Sequence, residues 1–524
     1  MPDQPKGARL LRSGSIVGAM TLLSRLLGFV RDQVFAILLG AGPMTDAFFV
    51  AFKIPNFLRR LFAEGAFAQS FVPVFTEYKE KYDQRQLREL AVRVSGTLGL
   101  ILLVLSILGS LCAPWLVSLF APGFEASDPR RQLTTDMLRI TFPYLFFISM
   151  VAYAGGVLNS FHRFAVPAFT PVLLNISLIT AALWGTRFFP QPVVALAWGV
   201  FAAGALQLLF QLPTLHRLGL LVLPRWGWQH DGVKKIRKLM LPAIFGSSVA
   251  QINLLLDTII ASFLVAGSVS CLYYADRLVE FPLGVFGIAI ATVILPRLSA
   301  IHAQENQHGF QHTMDWAVRL GFLIALPCCT GLFLLSTPML ATLFGYGAFS
   351  TNDVTMSSWS LKAYAIALPG FILIKILAPG FFARQNTKTP VRIGIIAMVC
   401  NMGYNVVLVG TMVLLALPAP HTGLALATAL SANQQAFMLF RQLKRESAYS
   451  LSATNKRIIA GSAFSSALMA IAIYLITPEA DFWFNSSASL RATRLIAIIA
   501  IAMLIYGAAL LVAKIHPRDL VPKG

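Results

Sequence analysis

The chain has 524 residues, of which 57% are hydrophobic and only 12% are charged. Its mean hydropathy of +0.71 lies outside the range of soluble globular proteins and indicates a polytopic membrane protein. The formal net charge is +20, which we attribute to basic loops on one side of the membrane rather than to nucleic-acid binding.

Fourteen apolar segments are long enough to cross about 30 Å of hydrocarbon as helices. Leu, Ile, Ala and Phe occupy every face of these segments, whereas the strands of a membrane β-barrel are short and strictly alternating. The sequence therefore predicts an all-α membrane protein with fourteen transmembrane helices, at 13–39, 46–76, 91–119, 134–160, 166–188, 193–216, 238–265, 272–299, 316–344, 357–383, 391–415, 422–443, 456–477 and 491–513.

Basic residues in the loops predict the orientation of the chain, because cytoplasmic loops are enriched in Lys and Arg. Most of the 42 lysines and arginines fall on the side that holds both termini, which is therefore predicted to be cytoplasmic. We expect no cleaved signal peptide, since the first apolar segment is too long and too charged to be one. The opposite side holds only Arg130, Arg131, Arg187, Arg491 and Arg494.

An internal repeat appears when the chain is compared with itself at an offset of 223 to 227 positions. Pro55 then aligns with Pro282, and Pro143 aligns with Pro369. Because each repeat holds six helices, the two lobes enter the membrane in the same orientation, as in transporters that rock two lobes about a site between them. We predict an N-lobe at 1–220, a linker and C-lobe at 221–447, and an extra helix pair with a cytoplasmic tail at 448–524.

Two segments connect the predicted spans on the cytoplasmic side. Segment 77–93 mixes charges with Leu87 and Leu90 at helical spacing, which favours an amphipathic helix on the membrane surface; a solvated linker is the alternative. Segment 221–239, with two tryptophans and a basic cluster, is typical of an inter-lobe linker at the membrane interface.

Charges inside the first span are a functional signal, because lipid does not accommodate them without a partner or a wet cavity. Arg25 and Asp32 are seven residues apart and share one helix face. A bend at Gly28 would turn Arg31 inward as well. The alternative is internal salt bridging, with Arg25 paired to Asp32.

The second span carries further charges, with Asp46 near its start, a kink expected at Pro55, and Arg59 beside a polar stripe. Several arginines converging on a cavity would bind a diphosphate, because guanidinium groups bind phosphate oxygens in pairs and stay charged. The alternative is again internal pairing within the stripe, Arg60 with Glu64. The stripe consists of Lys53, Asn56, Arg60 and Glu64.

The second lobe offers fewer candidates. The eighth span begins with Asp276, Arg277 and Glu280, where Arg277 would either complete the arginine set or form a local ion pair. Asp257 and Lys375 lie near the middle of the seventh and tenth spans, where a charge needs a partner or a cavity. A purely structural role is the alternative for both.

Motifs of enzymes and ATP-driven pumps are missing from the sequence: it has no Walker A, zinc or nucleophile-elbow motif. The five cysteines lack metal-ligand spacing, and His308 and His312 lack the acid partners of a metalloprotease. We therefore expect no enzyme activity, metal or cofactor. Energy would come from an ion gradient, the membrane potential or mass action.

The motif from Ser24 to Asp32 (SRLLGFVRD), with TDAF at 45–48, PNFLRRLFAEGAF at 55–67 and FVPVF at 71–75, strongly resembles the MurJ (MviN) lipid II flippases. This family belongs to the multidrug/oligosaccharidyl-lipid/polysaccharide (MOP) exporter superfamily. The resemblance covers nearly the whole chain. It implies a bacterial inner-membrane transporter that flips an undecaprenyl-diphosphate-linked peptidoglycan precursor to the outer leaflet by alternating access.

The resemblance also implies roles for individual residues. The partners would be lipid II, membrane lipids and the cell-wall synthesis machinery, and the last two spans would form a groove for the lipid tail. By the resemblance, the substrate-binding set would include Arg25, Arg31, Arg59, Arg277 and Lys375; Asn56 joins this set because of its place in the polar stripe of the second span. By the resemblance, the gating or charge-partner set would include Asp46, Glu64, Asp276 and Glu280; Asp32 and Asp257 join this set because of their positions in the first and seventh spans.

Three other functions are the alternatives to this one. A drug or cation exporter of the same superfamily should have an acid-rich cavity, whereas arginines dominate here. A flippase for another polyprenyl-linked glycan shares the same physics and is not separated by charge. A membrane-embedded glycosyltransferase would need carboxylates on a sizeable outer loop, and the outer loops are short.

Overall fold

The computed structural model describes residues 6–60 and 67–515, and the regular secondary structure in these ranges is entirely helical. Contacts between residues divide the chain into two compact units, Met1–Gly267 and Ser268–Gly524. The prediction of an all-α protein is confirmed. The lobe boundary near residue 220 was predicted from the internal sequence repeat. The division by contacts does not test it, so it stays a prediction.

Unit 1 contains a run of long helices and several shorter ones, and a 3₁₀ turn at Gly185–Phe188 follows α8. Its helices among the described residues are α1 (Lys6–Leu39), α2 (Pro43–Leu58), α3 (Ala68–Lys81), α4 (Gln84–Leu111), α5 (Ala113–Phe120), α6 (Pro129–Thr141), α7 (Tyr144–Ser160), α8 (Ala165–Leu183), α9 (Pro192–Arg217) and α10 (Asp231–Ser262).

Unit 2 is built in the same way, with a π-helical turn at Leu283–Gly287 between its first two helices. Its helices among the described residues are α11 (Ser268–Pro282), α12 (Ile288–Ala303), α13 (Gln307–Leu334), α14 (Ser336–Leu343), α15 (Thr351–Phe382), α16 (Lys388–Leu414), α17 (Thr422–Arg445), α18 (Ala453–Ile476), α19 (Ala480–Asn485) and α20 (Ala488–Val512).

The fourteen predicted spans all fall on these helices. Ten helical segments of the described chain are long and apolar enough to cross a membrane. The other four spans fall on α1, on α2 with α3, on α10 and on α17. The fourteen-span prediction is consistent with this arrangement, and the chain is a multi-pass membrane protein.

Several spans are interrupted where the sequence removes a backbone donor. The fourth span breaks between α6 and α7 at Pro143, and the eighth passes through its π-helical turn directly after Pro282. A proline cannot donate the helical N–H bond, so the ladder must be rearranged around it. The second span passes from α2 into π-helical geometry at Arg59 and Arg60.

Segment 77–93 is helical, as predicted, but it does not form a separate surface helix. It consists of the end of α3 and the start of α4, and Asp83 caps α4 by accepting a bond from the Gln86 N–H. Leu87 and Leu90 are buried in the apolar core of unit 1 rather than turned towards a membrane surface. The helical spacing was correct, but its apolar face packs against protein.

The linker after α9 runs along α4. The Arg225 N–H donates to the Val92 carbonyl at 3.1 Å, and the Gly227 N–H donates to Thr97 Oγ1 at 3.0 Å. A Cβ atom on Gly96 would lie 2.2 Å from the Arg225 carbonyl oxygen, so this close approach requires glycine. The linker is therefore fixed on the surface of α4 by these contacts.

Span seven is tied to unit 1 by its polar contacts. Within α10, Thr258 Oγ1 accepts a bond from Lys53 Nζ at 3.2 Å. Lys235 at the start of α10 bonds to Glu77, and this contact lowers the pKa of the Glu77 carboxyl. Unit 1 thus includes α10 by contact.

In unit 2, α15 packs against α11, α12, α13 and α17. The crossing with α17 is close, because a Cβ atom on Gly370 would lie 2.7 Å from the Ala432 carbonyl carbon. Ala367 and Ala429 are fully buried in the same contact. Small residues that let helix backbones approach are typical of helix packing in membranes.

We predict that Gly96→Ala displaces the linker while Gly99→Ala does not. Alanine favours the helix at both positions, but only at Gly96 would its methyl group overlap the linker backbone, whereas the nearest atom at Gly99 is 3.8 Å away. Loss of the two linker hydrogen bonds should destabilise the protein by about 1–3 kcal/mol. Limited trypsin cleavage after exposed Arg225 measures the displacement; equal cleavage in both variants would contradict it.

Candidate functional site

The ion pair of Arg31 and Asp32 is buried within unit 1. Arg31 is 8% exposed and Asp32 is 2% exposed. The Arg31 Nε and Nη2 groups donate to Asp32 Oδ1 at 3.0 and 2.7 Å. The paired alternative considered from the sequence, Arg25 with Asp32, is therefore wrong: the carboxylate is held by the adjacent arginine instead.

Asn175 on α8 completes this buried group. Its Oδ1 accepts a bond from Arg31 Nη1 at 3.0 Å, and its Nδ2 donates to the Ser24 carbonyl at 2.9 Å. The side chain lies against Gly28, where an added Cβ atom would be 3.6 Å from Asn175 Nδ2. One amide thus fixes both the guanidinium group and the α1 backbone beside it.

Arg25 lies six residues before Arg31 on the same helix, which is about 1.7 turns, and its surroundings differ from those of Arg31. Its side chain is exposed, and it makes no hydrogen bond or ion pair to another residue in the described ranges. Of the two candidate arginines on α1, Arg25 is therefore the one that the described structure leaves available. Its charge would need water or an anion if it lies at bilayer depth.

Arg59 is positioned from its own segment. Its Nε donates to Asn56 Oδ1 at 2.7 Å, one turn earlier on α2. Both side chains are partly buried, as is that of Arg60. Glu64, the predicted partner of Arg60, lies outside the described residues.

Asp46 lies in the first turn of α2 and is 1% exposed. Its Oδ2 accepts a bond from the Gly267 N–H at 2.6 Å, after the end of α10. Gly267 has φ of +93°, and a Cβ there would lie 3.0 Å from the Ala41 carbonyl oxygen, so glycine is required. Asp46 thereby holds the loop after span seven, near which Asp257 lies partly buried on α10.

The candidates of unit 2 form a local group and a separate cation. Arg277 Nη1 donates to Glu280 Oε2 at 2.7 Å, and its guanidinium lies 4.6 Å from the centre of the Tyr273 ring. This is the local ion pair named as the alternative above; Asp276 beside it is partly buried. Lys375 on α15 is exposed and makes no hydrogen bond or ion pair within the described part of the chain.

The structure therefore brings together Arg31, Asp32 and Asn175, and separately Arg59 with Asn56 and Arg277 with Glu280. The roles assigned to these residues in substrate binding and gating stay predictions. Sequence reasoning missed Asn175. A lone amide in an otherwise apolar fifth span was the available signal, since such residues commonly bond across helices in membranes.

Two adjacent cavities lie on the surface between α3, α4 and the linker. They measure about 380 and 300 Å³ and share Glu89, Gln229 and His230. Stacked rings of Trp226 and Trp228, 5.8 Å apart, border the second cavity. Sequence analysis identified the tryptophans as an interface feature but did not predict cavities here.

Comparison with solved structures first gives the class of protein. The fold matches an inward-facing multidrug resistance MATE family transporter of the MOP superfamily, with a TM-score of 0.65 at 15% identity over 82% of this chain and 97% of that one. It also matches a structure described as lipid II flippase MurJ in an inward closed conformation, with a TM-score of 0.77 at 26% identity over 94% and 99% of the two chains. The protein therefore has the fold of a MOP-superfamily transporter.

Sequence comparison then gives the family. The profile described as "Lipid II flippase MurJ" matches residues 35–492. The chain is 47% identical over 517 residues to a probable lipid II flippase MurJ of Haemophilus influenzae, covering 96% of this chain and 100% of the relative. It is also 47% identical over 519 residues to that of Vibrio cholerae, covering 98% of each. The chain belongs to the MurJ lipid II flippase family, which is a family of transporters and not of enzymes, as the sequence motifs indicated.

We predict that Asn175→Ala destabilises unit 1 by about 1–3 kcal/mol, because it leaves Arg31 Nη1 without its amide acceptor and the Ser24 carbonyl without a donor. Ser177→Ala is the matched control, since Ser177 lies on the same helix but bonds to the Gly199 carbonyl instead. Thermal unfolding of both purified variants measures the difference. An unfolding temperature for Asn175→Ala no lower than that of the control would contradict the role given to Asn175.

Proposed function

We propose that this protein translocates lipid II, the undecaprenyl-diphosphate-linked disaccharide-pentapeptide, from the inner to the outer leaflet of a bacterial inner membrane. The observation that carries this proposal is 47% identity, across the full length of the relatives, to proteins named as probable lipid II flippases. A third relative, the lipid II flippase MurJ of Burkholderia cenocepacia, is 43% identical over 444 residues, 84% of this chain and 85% of that protein.

The charges of unit 1 support a diphosphate as the group that is recognised. Guanidinium groups bind phosphate oxygens through paired N–H donors, and they keep their charge in a poorly hydrated site. Arg25 is exposed without a partner among the described residues, so it would meet the diphosphate first. Arg59, held by Asn56, would present its guanidinium in a fixed orientation.

Arg31 has a different part in this proposal. Its guanidinium is bonded to Asp32 and Asn175, so it would contact a phosphate only by exchanging one anionic partner for another. Such an exchange keeps an anion beside the Arg31 guanidinium throughout, but it takes this cation from the buried Asp32 carboxylate. Asp32 would then serve as the charge partner of Arg31 in the empty state.

Arg277 and Lys375 are the cations of unit 2 that we propose for recognition of an anionic head group, and alternating access would carry the head group across the membrane. The charge partners of the proposed cations, or the gating groups, would be Asp46, Glu64, Asp257, Asp276 and Glu280. Both termini would be cytoplasmic, as the distribution of basic loops indicates. The lipid's consumers, the enzymes of cell-wall synthesis, would be its functional partners.

The experiment that tests this function measures lipid II in the outer leaflet of cells depleted of their own flippase. Expression of this protein should restore exposure of lipid II and growth; no exposure despite normal membrane levels of the protein would contradict the function. Exposure of another polyprenyl-linked glycan in place of lipid II would reassign the substrate.

We predict that Arg31→Ala abolishes growth support in the same cells without changing the amount of protein in the membrane. The substitution removes the guanidinium group that would bind the diphosphate, so substrate binding should be lost. Arg139→Ala is the matched control, because Arg139 on α6 is half exposed and pairs with Asp136 at the helix surface. Normal growth with Arg31→Ala would remove that residue from the site.

We further predict that Arg25→Ala lowers the rate of lipid II exposure at least tenfold, while Arg25→Lys lowers it less. Alanine removes the charge, whereas lysine keeps the charge but not the paired donors. Because Arg25 makes no bond to the described residues, its replacement should leave thermal stability unchanged. A stable Arg25→Ala variant with full activity would show that this arginine does not bind the diphosphate.

A further inference from the structure

The last two spans of unit 2 are attached to one neighbour. Helix α18 packs on α13 and on α20, while α19 and α20 pack on α14. No other helix of unit 2 makes more than marginal contact with them among the described residues. Helices α13 and α14 together form the ninth span, so this span connects the pair to the rest of the unit.

The first polar connection lies where the chain passes from α17 to α18. Asp315 on α13, 9% exposed, accepts bonds through Oδ1 from the Tyr449 hydroxyl at 2.9 Å and from Asn455 Nδ2 at 3.0 Å. Tyr449 and Asn455 are 1% and 0% exposed. One turn earlier, Gln311 bonds to the backbone of Ser450 in both directions. Asp315 thus fastens the connecting segment and the first turn of α18 to α13.

The second connection lies further along α13, at a backbone carbonyl that a proline leaves without its helical hydrogen bond. The Leu323 carbonyl would accept the N–H of the residue four positions later, but that residue is Pro327, which has no N–H. The Tyr506 hydroxyl on α20 donates to this carbonyl at 2.8 Å. The same hydroxyl lies 2.8 Å from Ser462 Oγ on α18, so one phenol links three helices.

The third connection lies at the other end of the span. Arg491, which sequence analysis placed among the outer-loop residues, is instead 7% exposed within α20. Its Nη1 donates to the Ala341 carbonyl at 2.9 Å and to the Gly345 carbonyl at 3.3 Å, where α14 ends. A helix C-terminus leaves carbonyls without donors and attracts a cation, so Arg491 satisfies the end of α14.

We propose that α18 and α20 are carried by the ninth span as one rigid body, with Asp315, Tyr506 and Arg491 as its positioning residues. Each of the three supplies or receives hydrogen bonds at a different depth of the span, and two of them satisfy carbonyls that α13 or α14 leaves unpaired. Any movement of the ninth span during transport is then transmitted directly to the pair. This inference goes beyond the proposed function, because it concerns how the pair moves and not which lipid is carried.

Hydrogen–deuterium exchange of the full chain in nanodiscs tests the proposal. Asp315→Leu, Tyr506→Phe and Arg491→Met should each raise amide exchange in α18 or α20 by about tenfold or more, because each loses a buried hydrogen bond. Exchange in α15, α16 and α17 should stay unchanged. Unchanged exchange in the pair, or an equal rise throughout unit 2, would overturn the proposal.

Conservative variants distinguish loss of these specific hydrogen bonds from a general destabilisation of unit 2. Asp315→Asn keeps the acceptor oxygen for Tyr449, and Arg491→Lys keeps a donor for the Ala341 carbonyl, so both should restore most of the protection. Asp353→Asn is the control for loss of a carboxylate elsewhere in unit 2, since Asp353 caps α15. If it raised exchange in the pair as much as Asp315→Leu, the proposal would be overturned.

A distance measurement tests the rigid body itself. Spin labels at exposed Phe333 on α13 and exposed Met503 on α20, in a chain with its five cysteines replaced, should give one narrow distance distribution. The distribution should be the same with and without lipid II, and should broaden in Asp315→Leu/Arg491→Met. A distribution that is already broad without these substitutions, or that shifts on adding lipid II, would contradict the proposal.

Discussion

The constraint on which this structure depends is the cost of an ionised side chain away from water. A charge placed among apolar helices needs a partner, a cavity or a ligand. Unit 1 meets this requirement for Arg31 with a neighbouring carboxylate and one amide from α8. It meets the requirement for Asp46 with the backbone N–H of Gly267. These bonds fix α1 to α8 and the first turn of α2 to the loop after α10, and of the two candidate arginines of α1 they leave Arg25 without a partner in the described chain.

The charged candidate residues have two different roles in the structure, which the sequence alone does not distinguish. The paired groups hold helices together, because each of their bonds joins elements distant in the chain or fixes a side chain on its own helix. Among the candidate site residues, Arg25 in unit 1 and Lys375 in unit 2 are exposed and make no hydrogen bond or ion pair in the described ranges, so we propose them as groups that recognise an anionic head group. A transporter for a diphosphate-linked lipid needs both, since a cavity that binds an anion must also hold its shape while empty.

The fold was largely predictable from the sequence, and the partners of the buried charges were not. Runs of apolar residues are long and their ends are marked by charged loops, so the positions of the spans followed from hydropathy. Adjacent residues on a helix point about 100° apart, which made Arg25 a better expected partner for Asp32 than Arg31. The long arginine side chain overcomes that divergence, and Asn175, far away in sequence, completes the pairing. The role of Asn175 is visible only in the structure, where α8 packs on α1.

The attachment of the extra helix pair also could not be predicted from the sequence. Pro327 was visible in the sequence, but the tyrosine that satisfies the carbonyl it leaves open comes from a helix far along the chain. Arg491 stands at the start of an apolar run, where a cation is normally a loop residue, and its burial is explained by bonds to the carbonyls at the end of α14 and to the Trp483 carbonyl in α19. Backbone groups left open by prolines and helix ends therefore decide where this pair is attached.

The most direct measurement is a cryo-electron-microscopy structure of the protein with lipid II bound. The account predicts density for the diphosphate within about 3 Å of the Arg25 guanidinium, with at least one more arginine of the set bonded to the same group. A head group bound with its diphosphate away from Arg25, Arg31 and Arg59 would contradict it.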